Sequence, residues 1–135
     1  MRTPKGQLVT RTLIMSVDTS PQGDVFGGWI LSQMDKGAGI LALQYSRSRC
    51  ATVAIDSLKF SLPVHVGEVL SCYAEIFEVG RSSMKIKMEA WRLKQETQQQ
   101  DLVTEGVFTF VALNEHHKPH QADPKRRLME AQAKS

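Results

Sequence analysis

One stretch of this chain constrains its fold more than any other: the twenty residues 26–45. Leu31, Met34, Ala38, Leu41, Ala42 and Tyr45 recur at helical spacing and fall on one face of a wheel, while Ile40 and Leu43 lie on the other side. The segment is expected to be a helix apolar nearly all round, and therefore largely buried. At 1.5 Å per residue it is about 30 Å long, enough to cross a small domain. The whole chain has 135 residues, which suits one domain and leaves no room for two. Whatever else forms must therefore wrap this helix. Gly37 and Gly39 sit inside it, each costing up to ~1 kcal/mol of helix propensity. Two such residues near mid-helix point to close approach by another backbone or by a ligand.

On both sides of the helix the period is two. Residues 8–15 read as a strand, with Thr10 and Thr12 on one side and Val9, Leu13 and Met15 on the other. Residues 18–24 are a dense turn and cap cluster. After the helix, Val53 and Ile55 alternate and the phase then shifts to Leu58 and Phe60, which implies a bulge near Asp56-Ser57. Leu70, Cys72, Ala74 and Ile76 alternate in the next strand, and Gly80-Arg81-Ser82 signals a tight turn. Met84, Ile86, Met88 and Ala90 then alternate with Lys85, Lys87 and Glu89, the mark of a half-buried strand. A polar loop over residues 94–101 precedes a last strand over 102–113.

Successive strands with short connections pair antiparallel. The expected class is α+β, a five-stranded antiparallel sheet wrapped around one long central helix. The domain is read as residues 1–115, and residues 116–135 as a basic tail with room for a short helix. An open five-stranded sheet has two exposed edges, and a dimer that continues the sheet would remove one of them.

Composition narrows the function classes. Hydrophobic residues are 41% and charged residues 23%, which excludes wholesale disorder. No apolar run approaches the roughly 18 residues of a membrane span, so no membrane partner is expected. Met1-Arg2-Thr3-Pro4-Lys5 leads into no apolar stretch of the signal-peptide kind, so the expected location is the cytoplasm. Cys50 and Cys72 lack a C-x-x-C spacing and read as free thiols in strands. The net charge of +3 invites a nucleic-acid reading, but its distribution argues against one. Residues 1–114 hold twelve Lys/Arg against eleven Asp/Glu, whereas residues 115–135 hold five against three.

Two features could carry chemistry. Asp35 lies at the margin of the helix's apolar face, where an acid rarely goes without a partner or a role. It is either a structural carboxylate or a reactive one. The second feature is Gly23-Asp24-Val25-Phe26-Gly27-Gly28, just before and into the helix. A helix start leaves its first N–H groups unpaired and locally positive, and glycines let a ligand oxygen reach them. That suits a carbonyl developing negative charge. Gly28 and Asp35 point the same way but are two turns, about 10 Å, apart along the axis. They cannot touch one small reacting group within a single chain. Two subunits with antiparallel central helices would bring one helix start to the other's carboxylate.

Around these residues the sequence resembles the hotdog-fold acyl-CoA thioesterases, and among them the bacterial YciA-type branch. The resemblance is carried by Asp18-x-x-x-x-Gly23-Asp24-Val25-Phe26-Gly27-Gly28-Trp29-Ile30-Leu31-Ser32-Gln33-Met34-Asp35, by the turn from Gly80 to Lys87, and by the strand from Val103 to Ala112. It implies a sheet-wrapped helix paired as homodimers, often assembled into hexamers as trimers of dimers, with active sites at the dimer interface. It implies hydrolysis of acyl-CoA to a free carboxylic acid and coenzyme A, with no metal or redox cofactor.

Asp35 corresponds to the family's carboxylate, general base or nucleophile. Gly28, with Gly27, corresponds to the backbone donor on the thioester carbonyl. Arg81, Ser82 and Ser83 fall where the family binds the nucleotide end of coenzyme A, with Lys59 and Lys85 as further phosphate candidates and Phe26 as a further substrate contact. Ser20 stands where many relatives carry an Asn that places water or thioester, and Gln22 also replaces a frequent Asn. Ser20 either keeps part of that role through its hydroxyl or serves only the turn before Pro21.

Other chemistries fit less well. His116-His117-x-x-His120 has metal-ligating residue types but sits in a proline-containing tail. Gly-x-Ser-x-Gly and the phosphate-binding Gly-x-x-x-x-Gly-Lys are absent. Related dehydratases need a His near the helix, and the nearest candidate, His65, lies in a connection. The alternative to a thioesterase is a non-catalytic acyl-CoA-binding sensor or scaffold of the same fold, which would have no need of Asp35.

Overall fold

The switch from period 3.6 to period two becomes a helix lying on a sheet. The computed structural model describes residues 2–114; the tail, its expected short helix and its three histidines lie outside these residues. The elements are β1 (Gln7–Leu13), a single 3₁₀ turn (Ser16–Asp18), α1 (Gly27–Ser46), β2 (Arg49–Phe60), β3 (Val69–Val79), β4 (Ser83–Leu93) and β5 (Gln100–Leu113). The strands form one sheet in the order β1-β3-β4-β5-β2, and every pair is antiparallel. This is the expected α+β class, with one helix on one face of five strands.

The core lies between helix and sheet. Met34, Ala38, Leu41 and Ala42 of α1 meet Met84, Ile86, Met88 and Ala90 of β4 and Phe108 and Phe110 of β5, all essentially buried. Each large side chain taken from water there contributes roughly 1.5–3 kcal/mol. Gly37 answers the expectation of close approach, although a side chain makes it. A methyl group added at Gly37 would stand 2.6 Å from Val9 Cγ2 of β1, so only glycine lets β1 settle on the helix.

Three details differ from the sequence pattern. In β1 the inward side is that of Thr10 and Thr12, and it ends in buried Ile14, while Leu13 and Met15 are exposed. A register shift between Leu8 and Thr10 lets Val9 reach Gly37 as well. The helix is not buried all round either: Ile40 and Leu43 remain 40% and 54% exposed, because one sheet covers one side of a helix. Val53 and Ile55 of β2 are likewise exposed, on an edge strand. The bulge expected near Asp56-Ser57 is present, with Ser57 left-handed at φ 62°, and a second register shift follows Thr52.

Candidate active site

The helix begins without help from side chains. Phe26 is its N-cap, extended at φ −69° and ψ 146°, and no side chain caps the first turn. The Phe26 carbonyl accepts from the amides of Trp29 (3.0 Å) and Ile30 (3.3 Å). The amides of Gly27 and Gly28 find no acceptor among the described residues. A side chain at Gly28 would meet nothing within 4 Å, so the approach to these donors is open. Unpaired N–H groups at the positive end of a 20-residue helix form a ready site for an oxygen carrying negative charge. The Phe26 side chain, 63% exposed, stands beside them.

The loop before the helix is locked. Ser20 Oγ donates to Asp24 Oδ1 (2.7 Å) and accepts from the Gln22 amide (3.2 Å). Ser20 N–H donates to the Asp24 carbonyl and Gly23 N–H to the Ser20 carbonyl. Gly23, at φ 89°, closes the turn in a conformation that favours glycine. The Ser20 hydroxyl is thus engaged in its own turn.

Two turns further along, Asp35 is half-buried against β2. Thr52 Oγ1 donates to Asp35 Oδ1 at 2.5 Å. No donor among the described residues reaches Oδ2. One oxygen is held in place and the other remains available. Thr52 was not singled out from the sequence, where the alternation at this end of the strand was read from Val53 and Ile55 alone. The register shift after Thr52 turns Cys50 and Thr52 toward the helix instead. Burial pushes the Cys50 thiol up in pKa, with the Ser46 hydroxyl opposing, which disfavours its thiolate.

The Gly80–Ser83 turn joins β3 to β4 and is held by Gly80 N–H to the Ser83 carbonyl (2.8 Å) and Ala112 N–H to the Ser82 carbonyl (2.7 Å). Ser83 pairs with Val111, which pairs with Ala51, so this turn lies level with Thr52 and two strands away, about 10 Å. Arg81 is exposed there, with no partner among the described residues. Lys85 Nζ lies 3.5 Å from Glu78 Oε2. Lys59 pairs with Glu105, six residues along β5 from Val111, or roughly 20 Å. Within one chain the structure therefore separates Lys59 from Arg81. It also separates Gly27, Gly28, Phe26 and Ser20 from Asp35 and Thr52.

A helix wrapped by an antiparallel sheet, an open oxyanion-type helix start and a half-committed carboxylate define a class of protein built for acyl transfer to water. Comparison with known proteins gives the family. Residues 22–98 match the Thioesterase superfamily. A Haemophilus influenzae protein described as an uncharacterized acyl-CoA thioester hydrolase is 48% identical over 116 residues, spanning 84% of this chain and 75% of that one. The Escherichia coli K12 acyl-CoA thioester hydrolase YciA is 42% identical over 119 residues, spanning 86% and 90%. The crystal structure of HI0827, described as a hexameric broad specificity acyl-coenzyme A thioesterase, aligns with TM-score 0.89 at 43% identity, covering 98% of this chain and 93% of that one. An aspartate-to-alanine mutant of HI0827 aligns with TM-score 0.87. The chain belongs to the thioesterase superfamily, in its hotdog-fold, YciA-type acyl-CoA thioester hydrolase branch.

Proposed function

We propose that this protein hydrolyses acyl-CoA to a free carboxylic acid and coenzyme A, at a site completed by two copies of the chain. The observation that carries the reading is the pairing, among the described residues, of uncommitted Gly27 and Gly28 amides with an Asp35 held on one oxygen only. The amides of one copy receive the thioester oxygen and stabilise it as negative charge develops. Asp35 of the other copy, through Oδ2, acts as general base on water or as the nucleophile itself. Collapse of the tetrahedral intermediate expels the coenzyme A thiolate; on the nucleophilic route water then hydrolyses the acyl–Asp35 anhydride, releasing the acid and restoring the carboxylate. Thr52 orients the carboxylate. The study of an aspartate mutant of HI0827 fits a chemical role for a carboxylate in this family.

The apolar strip left bare on one chain, Ile40 and Leu43 on α1 with Val53 and Ile55 on the β2 edge, suits burial against a second copy. The hexameric relative supports a trimer of such dimers. Arg81, exposed and without a partner among the described residues, supports the reading that this cation, with Ser82 and Ser83, meets the phosphates of the nucleotide. Lys85 is already paired with Glu78, and Lys59 lies at the far end of the sheet.

Free-thiol release from a panel of acyl-CoAs tests the function. Turnover by the purified chain is expected. Tight binding without thiol release would replace the hydrolase with the sensor.

A further inference from the structure

The helix entry is laid against a neighbouring segment of the same chain, residues 61–68, which connect β2 to β3. The Val64 carbonyl accepts from the Val25 amide (2.9 Å), and Asp24 and His65 form a single antiparallel bridge beside it. Val64 itself is fully buried. Gly27, whose amide has no acceptor among the described residues, follows Val25 by two positions, so the place of this connection sets the place of the helix start. Toward the sheet the connection is tied at Ser61 and at Pro63. Ser61 N–H donates to the Val103 carbonyl of β5 (2.8 Å). Pro63 has no N–H to offer, and its carbonyl accepts from Arg92 Nη1 of β4 (2.7 Å). Arg92 Nε donates to Asp101 Oδ2 (3.3 Å), and Asp101 Oδ1 accepts from Gln99 Nε2 (2.9 Å). The Arg92 side chain is only 11% exposed, and it directs its donors to a fixed carboxylate and to one backbone carbonyl. Among the described residues no other side chain donates to the backbone of residues 61–64.

We propose that Arg92 is a positioning residue for the reaction: its hold on the Pro63 carbonyl fixes the 61–65 connection and, through Val64 and Val25, the Gly27 and Gly28 amides. The inference rests on the hydrolase reading, which puts the thioester oxygen on those amides. Arg92 acts through the backbone, and every contact in the relay lies within one copy of the chain. A planar guanidinium holds its two acceptors in a fixed relation, which the single ammonium of a lysine does less rigidly. The amides act on a charge that is fully developed only in the transition state, so their displacement is felt in kcat more than in KM. A misplacement of about 1 Å costs on the order of 100-fold, and release of one tie moves the entry by less, so a loss of about tenfold is expected.

The test uses the full chain and two readouts: thiol release from an acyl-CoA, and amide hydrogen exchange over residues 24–30 followed by mass spectrometry. Arg92→Met keeps the apolar stem and removes both hydrogen bonds. It should lower kcat about tenfold with KM within about twofold, and speed exchange in that segment by about tenfold or more. Arg92→Lys should recover most of the kcat. Glu89→Gln, on the face of the sheet away from the helix, is the stability control. It should lower the melting midpoint and leave exchange over residues 24–30 as in the natural protein. Unchanged kcat in Arg92→Met, or the same gain of exchange in Glu89→Gln, would overturn the proposal. Should Arg92→Met not fold, Asp101→Asn loosens the guanidinium without removing it and decides in its place: faster exchange over residues 24–30 supports the proposal and unchanged exchange rejects it. Absence of thiol release by the natural protein from every acyl-CoA tried would defeat the hydrolase reading. In that case faster exchange in Arg92→Met still upholds Arg92 as the residue that positions the helix entry, and unchanged exchange rejects it.

Discussion

Two carboxylates of this chain are drawn from the same chemistry and treated in opposite ways. Glu89, on β4, is only 1% exposed on the side of the sheet away from the helix. It accepts from Arg2 Nη2 (3.1 Å), from the Lys5 amide (3.1 Å) and from Trp91 Nε1 (2.9 Å). Glu105 lies directly opposite it across the β4–β5 ladder, and Arg2 also binds that residue, at 2.8 and 3.1 Å. Two like charges facing across a ladder would destabilise it; one guanidinium bridges both, and Lys87 adds a second cation 3.8 Å from Glu105. Asp35 is half-buried and, among the described residues, has Thr52 alone. A buried carboxylate kept for structure is given donors on both oxygens. One left with an open oxygen beside a groove is either a cost or a tool. The uncapped helix start two turns away gives the second meaning.

The sharpest way to break this contrast is to neutralise each acid in turn. Asp35→Asn keeps the shape and is expected to cut kcat at least ~100-fold while the melting curve holds. Glu89→Gln should do the reverse, lowering the melting midpoint and leaving turnover within a few-fold. A stability loss in the first variant with normal turnover would make Asp35 the structural acid. Next in size is Thr52→Val, which removes the hydroxyl at nearly constant volume. It should lower kcat about tenfold at unchanged KM, as expected for a buried hydrogen bond of roughly 1.5 kcal/mol, and Thr52→Ser should recover most of it. A smaller effect is expected at Arg81, an exposed cation. Arg81→Ala should raise KM for acyl-CoA by roughly fivefold and spare the truncated acyl-pantetheine. Equal changes in both would move the nucleotide elsewhere.

Which parts were legible in the sequence follows from the same contrast. The helix and the inward faces of β3 and β4 were readable because burial against one partner layer imposes a simple period. The bulge at Ser57 was readable as a phase change. What escaped depended on a second partner or on distant chain. Val53 and Ile55 marked the alternation because they are apolar, yet they are exposed on an edge strand, and the residue that meets Asp35 is the polar Thr52 between them and the helix end. Leu13 and Met15 misled in the same way, since the register shift at β1 turns Ile14 inward instead. Glu89 looked like a wet-face residue in a Lys/Glu alternation. Its burial depends on Arg2 and Lys5, more than eighty residues earlier in the chain, a pairing that no local period encodes.

The smallest predicted effect concerns that N-terminal clamp and depends on pH. The Arg2 hydrogen bond, aided by the charges of Arg2 and Lys87 and opposed by slight burial, holds the Glu105 carboxyl below its ordinary value of 4.5. A depressed folded-state value means that the unfolded chain binds its proton first as pH falls. The clamp's contribution through Glu105 is thus fully present above about pH 4.5 and is lost as pH drops through the lower folded value. Arg2→Ala should therefore lower the melting midpoint at pH 7, and the gap to the natural protein should narrow steadily below about pH 4.5. Both side chains are largely exposed, so salt should narrow the gap as well. A gap that stays constant from pH 7 to pH 3 would show that Arg2 acts by covering Glu89 and Trp91 rather than by its charge on Glu105. In that case Arg2→Met, which keeps the apolar stem without the guanidinium, should retain much of the stability.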